Sequence, residues 1–235
     1  MPATVPKALL FDLDGTLIDS LGDLHVAINR SLSEISARSL TREEVAKFIG
    51  KGARNMVERS LTAVLGTAPS RQQAERLYAR YIFYMQEVNG QHSELLPAVF
   101  ESLSQLQEVG YKMAVVTNKP NVVIPPLLER FKLSKFFSVV LGADSVAHPK
   151  PHPDMLLKAI NLLGVDFPHT FMIGDSLNDA LAARNAGIAS LLLKTGYNEG
   201  LKIEQWAQLY APDTPVFDTM RELTQYLLPF QRSPL

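Results

Sequence analysis

The chain has 235 residues, of which 46% are hydrophobic and 20% charged, and these values exclude a disordered chain, a coiled coil and a collagen-like fibre. The net charge of −1 at pH 7 argues against a nucleic-acid partner, since such proteins need a cationic surplus to displace counterions. The absence of cysteine excludes disulfide scaffolds, thiolate metal sites and a thiol nucleophile.

The first predicted element is a strand over residues 8–11, and acidic residues follow it at once. Its apolar run is continuous, without polar alternation, which is typical of a strand covered on both faces of a parallel sheet. Asp12 and Asp14 come directly after the run, and Gly15 then permits a backbone turn that larger residues resist. Charged side chains at such a place must be hydrated, paired or bound to a metal.

Residues 20–95 show helical rather than strand patterns. A capping box at residues 41–44 begins one helix, and helical apolar spacing continues over residues 53–65 and 70–86. The segment contains no convincing strand. We therefore predict a helical cap of residues 20–95, inserted into a core of residues 1–19 and 96–235.

The rest of the chain alternates strands with helices. Further continuous apolar runs predict strands over residues 113–116, 139–141, 171–173 and 190–193. Helical patterns between them cover residues 97–108, 153–163 and 177–185, and a glycine follows each pattern closely. This alternation predicts an α/β fold with a mainly parallel sheet.

Acids also follow the strand at residues 171–173, where Asp175 and Asp179 begin the next helix. Because parallel strands end at the same edge of a sheet, Asp12, Asp14, Asp175 and Asp179 are expected to converge there. Such a cluster of like charges calls for a cation. Oxygen ligands, in a chain without cysteine, favour Mg²⁺.

Two other strand ends carry side chains suited to phosphate oxygens. Thr117 and Asn118 follow the strand at residues 113–116, and Lys150 lies in a proline-rich loop after residues 139–141. A cation at that place stabilises both a carboxylate nucleophile and an incoming phosphoryl group. Ordinary interpretations stay open: helix capping for Thr117 and Asn118, and a solvated loop lysine for Lys150.

These four segments, in this order, resemble the motifs of the haloacid dehalogenase superfamily. The matching residues are Asp12-Leu13-Asp14-Gly15-Thr16, then Thr117, then Lys150, then Gly174-Asp175-Ser176-Leu177-Asn178-Asp179. The resemblance implies a Rossmann-like three-layer core with the first strand central, plus an inserted helical cap. It also implies a phosphatase or a phosphomutase, because family members that attack carbon lack an acid at the position of Asp14, whereas an alkoxide leaving group needs a proton.

The resemblance further implies roles for the matched residues. Asp12 is expected to be the nucleophile that forms an aspartyl-phosphate, and Asp14 to act first as an acid and then as a base. Mg²⁺ is expected on Asp12, on the backbone carbonyl of Asp14 and on Asp175. Asp179 either supports the ion from a distance or favours the N-terminal end of its helix. The phosphoryl oxygens are expected on Thr117, Asn118 and Lys150.

The substrate signal lies in the cap. Gly50 and Gly52 form a turn that opens a helix and offers N–H donors to an anion, and Lys51 and Arg54 add positive charge, unless they are ordinary exposed side chains. This segment and residues 196–200 resemble the phosphoglycolate phosphatase branch, which implies a small phosphomonoester such as 2-phosphoglycolate as substrate. A sugar-phosphate phosphatase, a nucleotidase, a pyrophosphatase, a β-phosphoglucomutase-like mutase and a catalytically idle binding protein stay open.

The chain shows no targeting pattern. A secretory signal needs an apolar stretch of about 7–15 residues and a membrane helix about 20, and the apolar runs here are shorter. We expect a cytoplasmic monomer or homodimer that acts on a small phosphorylated metabolite, with no membrane or nucleic-acid partner.

Overall fold

The computed structural model describes residues 7–197 and 202–232, and a six-stranded sheet lies at its centre. The sheet order is β5-β4-β1-β6-β7-β8, and each neighbouring pair is parallel. The predicted α/β class is confirmed, and β1 is central between β4 and β6, as the resemblance implies. In chain order the strands are β1 (Ala8–Phe11), β2 (Ile18–Asp19), β3 (Glu94–Leu95), β4 (Lys112–Val116), β5 (Val139–Leu141), β6 (Thr170–Gly174), β7 (Ala189–Leu193) and β8 (Val216–Phe217).

Helices cover the sheet on both faces and so form three layers. In chain order they are α1 (Leu21–Ser33), α2 (Arg42–Ala46), α3 (Ala53–Leu65), α4 (Arg71–Val88), α5 (Val99–Glu108), α6 (Ile124–Arg130), α7 (Asp154–Leu163), α8 (Leu177–Ala186), α9 (Ile203–Tyr210) and α10 (Met220–Arg232). Within β1, Leu9 and Phe11 face an apolar cluster with α5, α6 and α10. Ala8 and Leu10 face a second cluster with α7 and α8. Successive strand residues point to opposite faces, which explains the continuous apolar run.

Helices α1 to α4 form the inserted cap and share an apolar cluster of their own. Its largest buried members include Ile28, Leu61, Tyr81 and Met85. Thr41 caps α2 and Ser70 caps α4, each through a capping box with the residue three positions later. The boundaries of this unit at residues 20 and 95 stay a prediction.

One prediction for the cap segment is wrong. Residues 94–95 do form a strand, because β3 pairs antiparallel with β2 where the chain leaves and re-enters the core. A pair of two-residue strands is too short to produce a periodic pattern. Sequence reasoning also misses the edge strand β8, which pairs with β7, and helices α6, α9 and α10.

The start of α1 is tied to the segment that precedes β3. The buried carboxylate of Asp23 accepts hydrogen bonds from the N–H groups of Gly90 at 2.6 Å and His92 at 2.8 Å, and from the hydroxyl of Ser93. These bonds satisfy a charge that would otherwise be costly to bury. They fix both ends of the cap insertion together.

Within residues 7–197 and 202–232, no helix has the length and apolar character that crossing a bilayer requires.

Candidate active site

A small cavity of about 60 Å³ lies where the cap covers the carboxyl ends of β1, β4 and β6. From the core it is lined by Asp12, Asp14, Thr117, Asn118, Lys119, Asp175, Ser176 and Tyr197, and from the cap by Ile49, Gly50, Gly52, Ala53, Met56 and Tyr81, among others. The structure thus brings together most of the residues that the sequence selects. The edge of a parallel sheet is the expected place for a ligand in this architecture.

Asp12 is paired with the buried ammonium of Lys150. Lys150 is 4% exposed, and its Nζ lies 3.0 Å from Asp12 Oδ1 and 2.6 Å from Asp179 Oδ1. Burial raises the pKa of Asp12 to about 6, although the charge of Lys150 opposes that rise. Burial would lower the pKa of Lys150, but Asp12 and Asp179 outweigh it, so the pKa is raised and the ammonium stays charged.

Asp175 completes a cluster of carboxylates that fits a cation. Carboxylate oxygens of Asp12, Asp175 and Asp179 all lie within 4.8 Å of one another. Burial, with repulsion from Asp179 and Asp12, raises the pKa of Asp175 well above its ordinary value. Without a further positive charge, this concentration of largely buried carboxylates is unfavourable, so the cluster could hold a metal cation.

The two oxygens of Asp179 already have protein partners. Oδ1 accepts from Lys150, and Oδ2 accepts from the Ser176 hydroxyl at 2.7 Å and from the N–H groups of Ser176 at 3.0 Å and Asp175 at 3.2 Å. Asp179 is fully buried at the start of α8, where its carboxylate closes a capping box. This geometry favours a supporting position, behind Asp175 and Lys150, over direct contact with an ion.

Glycines allow the backbone to pack directly against Asp175. A Cβ atom added to Gly196 would lie 1.6 Å from Asp175 Oδ2, and one added to Gly15, whose φ is +88°, would lie 2.6 Å from it. The opposite oxygen, Oδ1, accepts the hydroxyl hydrogen of Thr16 at 2.6 Å. Asp175 is therefore held in one orientation by close packing and hydrogen bonding.

The turn after β4 presents three polar residues to the cavity. Thr117 is buried, and its Oγ1 accepts the backbone N–H of Lys119 at 3.2 Å. Asn118 donates from Nδ2 to the carbonyl of Lys150 at 2.8 Å, which ties this turn to the Lys150 loop. Sequence reasoning missed Lys119, whose Nζ donates to Asp14 Oδ1 at 2.8 Å. Its position directly after Thr117 and Asn118, at a strand end, was the available signal.

The structure places Lys51 and Arg54 outside the Asp12 cavity. They line a neighbouring cavity of about 460 Å³, which shares Gly52, Ala53, Asn118 and Pro120 with the first. The guanidinium of Arg54 donates to Glu75 at 2.6 Å and lies 4.1 Å from the ring centroid of Tyr78. Arg54, on α3, is thus held by the neighbouring cap helix α4 in this conformation.

Two hydrogen bonds lie at the cavity rim, the first between core and cap and the second within the core. Asn178 at the start of α8 donates to the carbonyl of Gly50 at 2.5 Å, and the Tyr197 hydroxyl donates to Asp19 in β2. Burial and the bond to Asp19 raise the pKa of Tyr197. In the segment 196–200, Asn198, Glu199 and Gly200 lie outside the described residues.

The comparisons with known proteins agree with this geometry. The family model described as haloacid dehalogenase-like hydrolase matches residues 9–193. The chain belongs to this family. The resemblance expected from the four motifs is thereby confirmed, and the match runs from β1 through the cap to the end of β7.

Two relatives and one solved structure match over nearly their whole length. The chain is 35% identical over 219 residues to a phosphoglycolate phosphatase of Colwellia psychrerythraea, covering 92% of this chain and 95% of that protein. It is 36% identical over 225 residues to one of Psychrobacter arcticus, covering 94% and 96%. The crystal structure of a predicted phosphoglycolate phosphatase from Haemophilus somnus matches with a TM-score of 0.87 at 32% identity, covering 95% of this chain and 99% of that one.

Proposed function

We propose that the protein is a Mg²⁺-dependent phosphatase that hydrolyses a small phosphomonoester, with 2-phosphoglycolate as the first candidate, through an aspartyl-phosphate. The observation that carries this proposal is the convergence of Asp12, Asp14 and Asp175 beside Lys150 at one sheet edge. Family membership and the named relatives support a phosphoric monoester hydrolase. Residues 20–95 then act as the cap, and residues 1–19 and 96–235 as the catalytic core.

In the first step, an oxygen of the Asp12 carboxylate attacks the phosphorus of the ester. The bond from phosphorus to the ester oxygen breaks, and Asp14 gives its proton to that oxygen, so the alcohol leaves. Lys150, 3.0 Å from Asp12, holds the carboxylate in place and offsets negative charge on the transferring group. Thr117 and Asn118 bind the phosphoryl oxygens from the turn after β4.

In the second step, water hydrolyses the aspartyl-phosphate. Asp14, now ionised, takes a proton from the water as its oxygen attacks phosphorus, and the bond from phosphorus to Asp12 breaks. Inorganic phosphate leaves and both carboxylates return to their starting forms. Exclusion of bulk water by the cap protects the intermediate between the two steps.

Mg²⁺ fits the carboxylate cluster on chemical grounds. Asp12 and Asp175 would hold it with the backbone carbonyl of Asp14, while Asp179 supports from behind. When bound, the ion supplies positive charge that offsets the carboxylates and the phosphoryl oxygens. The raised pKa values of Asp12 and Asp175 support this assignment, because a cation favours their ionised forms.

The size of the cavity supports a small substrate. About 60 Å³ remains beneath the cap, and Gly52, the N-cap of the 13-residue helix α3, contributes to its wall. A helix N-terminus favours an anionic group, so a substrate with a carboxylate next to its phosphate suits the site. The names of the relatives support the same choice.

The test is a panel of phosphate esters with and without Mg²⁺. We expect 2-phosphoglycolate to give the highest kcat/KM, and a chelator to abolish turnover until Mg²⁺ is restored. Preference for sugar phosphates, nucleotides or pyrophosphate would reassign the substrate, and transfer of phosphate to a hexose phosphate would indicate a mutase. No turnover of any ester with Mg²⁺ would contradict the proposal and favour an idle binding protein.

A further inference from the structure

Lys119 is a buried cation at the cavity, and its charge faces the second carboxylate of the β1 turn. It is 5% exposed, and its Nζ lies 2.8 Å from Asp14 Oδ1. A buried ammonium without a partner is strongly unfavourable. The ion pair therefore stabilises Lys119 and at the same time selects one direction for the Asp14 carboxylate.

The backbone of Lys119 is clamped on both sides. Its N–H donates to Thr117 Oγ1 at 3.2 Å, and its carbonyl accepts the N–H of Ala143 at 3.0 Å. A Cβ atom added to Gly142 would lie 2.6 Å from the Lys119 carbonyl oxygen, so the two loops touch at backbone distance. The end of β4 thus presents the ammonium at a defined place.

Each of the two acids after β1 has its own lysine. Lys150 contacts Asp12 and also Asp179, so it belongs to the carboxylate cluster. Lys119 contacts Asp14 and comes from a different strand end. The two acids are therefore paired with different ammonium groups, Asp12 with Lys150 and Asp14 with Lys119.

We propose that Lys119 is a positioning residue that holds the Asp14 carboxylate at the leaving oxygen of the substrate. This inference rests on the proposed function, in which Asp14 protonates that oxygen. Its chemical consequence depends on the leaving group. An alkoxide must receive a proton as it leaves, whereas 4-nitrophenolate is stable as an anion and leaves without one. A lysine that bound the phosphoryl oxygens instead would affect both kinds of ester alike.

The experiment compares kcat/KM for an alkyl phosphate that the wild type hydrolyses with kcat/KM for 4-nitrophenyl phosphate, in saturating Mg²⁺. For each ester, kcat/KM reports on the first phosphoryl transfer, so a slower hydrolysis of the common aspartyl-phosphate does not affect it. We expect Lys119→Met to lower kcat/KM for the alkyl ester by about 10²–10³-fold. For the aryl ester we expect a loss below about tenfold, since only the acid function is impaired.

Three variants sharpen the result. Asp14→Asn should show the same selectivity, and the double variant with Lys119→Met should lose no more than Asp14→Asn alone, because both changes remove one function. Lys119→Arg keeps the charge and should recover part of the alkyl activity. The matched control is Lys112→Met, at the opposite end of β4, where the ammonium donates to the carbonyl of Leu163 at 2.8 Å. This control should leave kcat/KM unchanged for both the alkyl and the aryl ester.

Equal losses for the two esters in Lys119→Met, or no loss for either, would overturn the inference while leaving the proposed function intact. Additive losses in the double variant would overturn it too. Absence of wild-type activity on both esters would instead contradict the proposed function itself. If Lys119→Met does not fold, the two kcat/KM values measured for Lys119→Arg decide the question. Because arginine displaces the charge, kcat/KM should still fall more for the alkyl ester than for the aryl ester.

Discussion

The core wall and the cap wall of the cavity hold their charges in different ways. On the core wall, Asp175 and Lys150 are buried, only 13% of the Asp12 side chain is exposed, and each of the three has a partner from another strand end. On the cap wall, Gly50 and Gly52 line the cavity without a side chain, while the Arg54 side chain, at the neighbouring cavity, is 59% exposed and paired with Glu75 of the cap. Buried, mutually dependent charges tolerate little change, whereas exposed ones adapt at low cost. We infer that the chemistry resides in the core wall and that substrate choice is left to the cap wall.

The strongest test of this contrast is Asp12→Asn. The variant loses the attacking oxygen but keeps the size of the side chain, so we expect turnover to fall by about 10⁴-fold or more. Initial rates of phosphate release in saturating Mg²⁺ measure it, and circular dichroism with thermal unfolding checks the fold. The folded state should persist, because removing one of the three clustered carboxylate charges reduces their mutual repulsion. Substantial turnover by the folded variant would contradict the assignment of Asp12 as the nucleophile.

The sequence predicts those parts of the site that depend on neighbouring residues, and it misses those that depend on contacts between distant residues. Asp12, Asp14 and Asp175 were predictable because each directly follows an apolar run, and parallel strands end together. The pairing of Lys119 with Asp14 joins residues 105 positions apart through side-chain directions that no pattern encodes.

The same reason explains what sequence reasoning could not reveal about the cap. The positive charge of Arg54 was visible, but its capture by Glu75, 21 residues later on another helix, depends on how α3 packs against α4. The two-residue strands β2 and β3 were equally hidden, since their pairing depends on where the two ends of the cap meet.

Removing a lysine should cost much more stability on the core wall than in the cap. Lys150→Met leaves Asp12 and Asp179 buried without their cation, so we expect a loss of about 3–5 kcal/mol in the free energy of unfolding. Lys51→Met, at an exposed cap position, is the matched control and should change it by less than about 0.5 kcal/mol. Urea unfolding in a chelating buffer measures both. Similar losses in the two variants would contradict the contrast between buried and exposed charges.

Metal binding should stabilise the core wall measurably. An ion that binds the folded state alone, at one hundred times its Kd, raises the free energy of unfolding by about 2.7 kcal/mol. We expect Mg²⁺ to raise the thermal midpoint of the wild type and to have little effect on Asp175→Asn, which lacks one ligand of the cluster. Thr214→Ala, far along the chain from these strand ends, should respond as the wild type does. An equal response in Asp175→Asn would place the ion elsewhere.

The smallest effect is expected on the cap wall. Because Arg54 lines the neighbouring cavity and is held by Glu75 and Tyr78, Arg54→Ala should change the KM for the preferred substrate by less than about threefold, as for an exposed ion pair. The variant to compare with it is Glu75→Gln, which weakens the ion pair of the Arg54 guanidinium but keeps the guanidinium itself. If Arg54 does reach the substrate carboxylate when the ester is bound, Arg54→Ala will raise KM by about tenfold or more with kcat unchanged, and Glu75→Gln will lower it. That outcome would extend the functional surface to the second cavity and give the cap wall a charge that acts only once substrate is present.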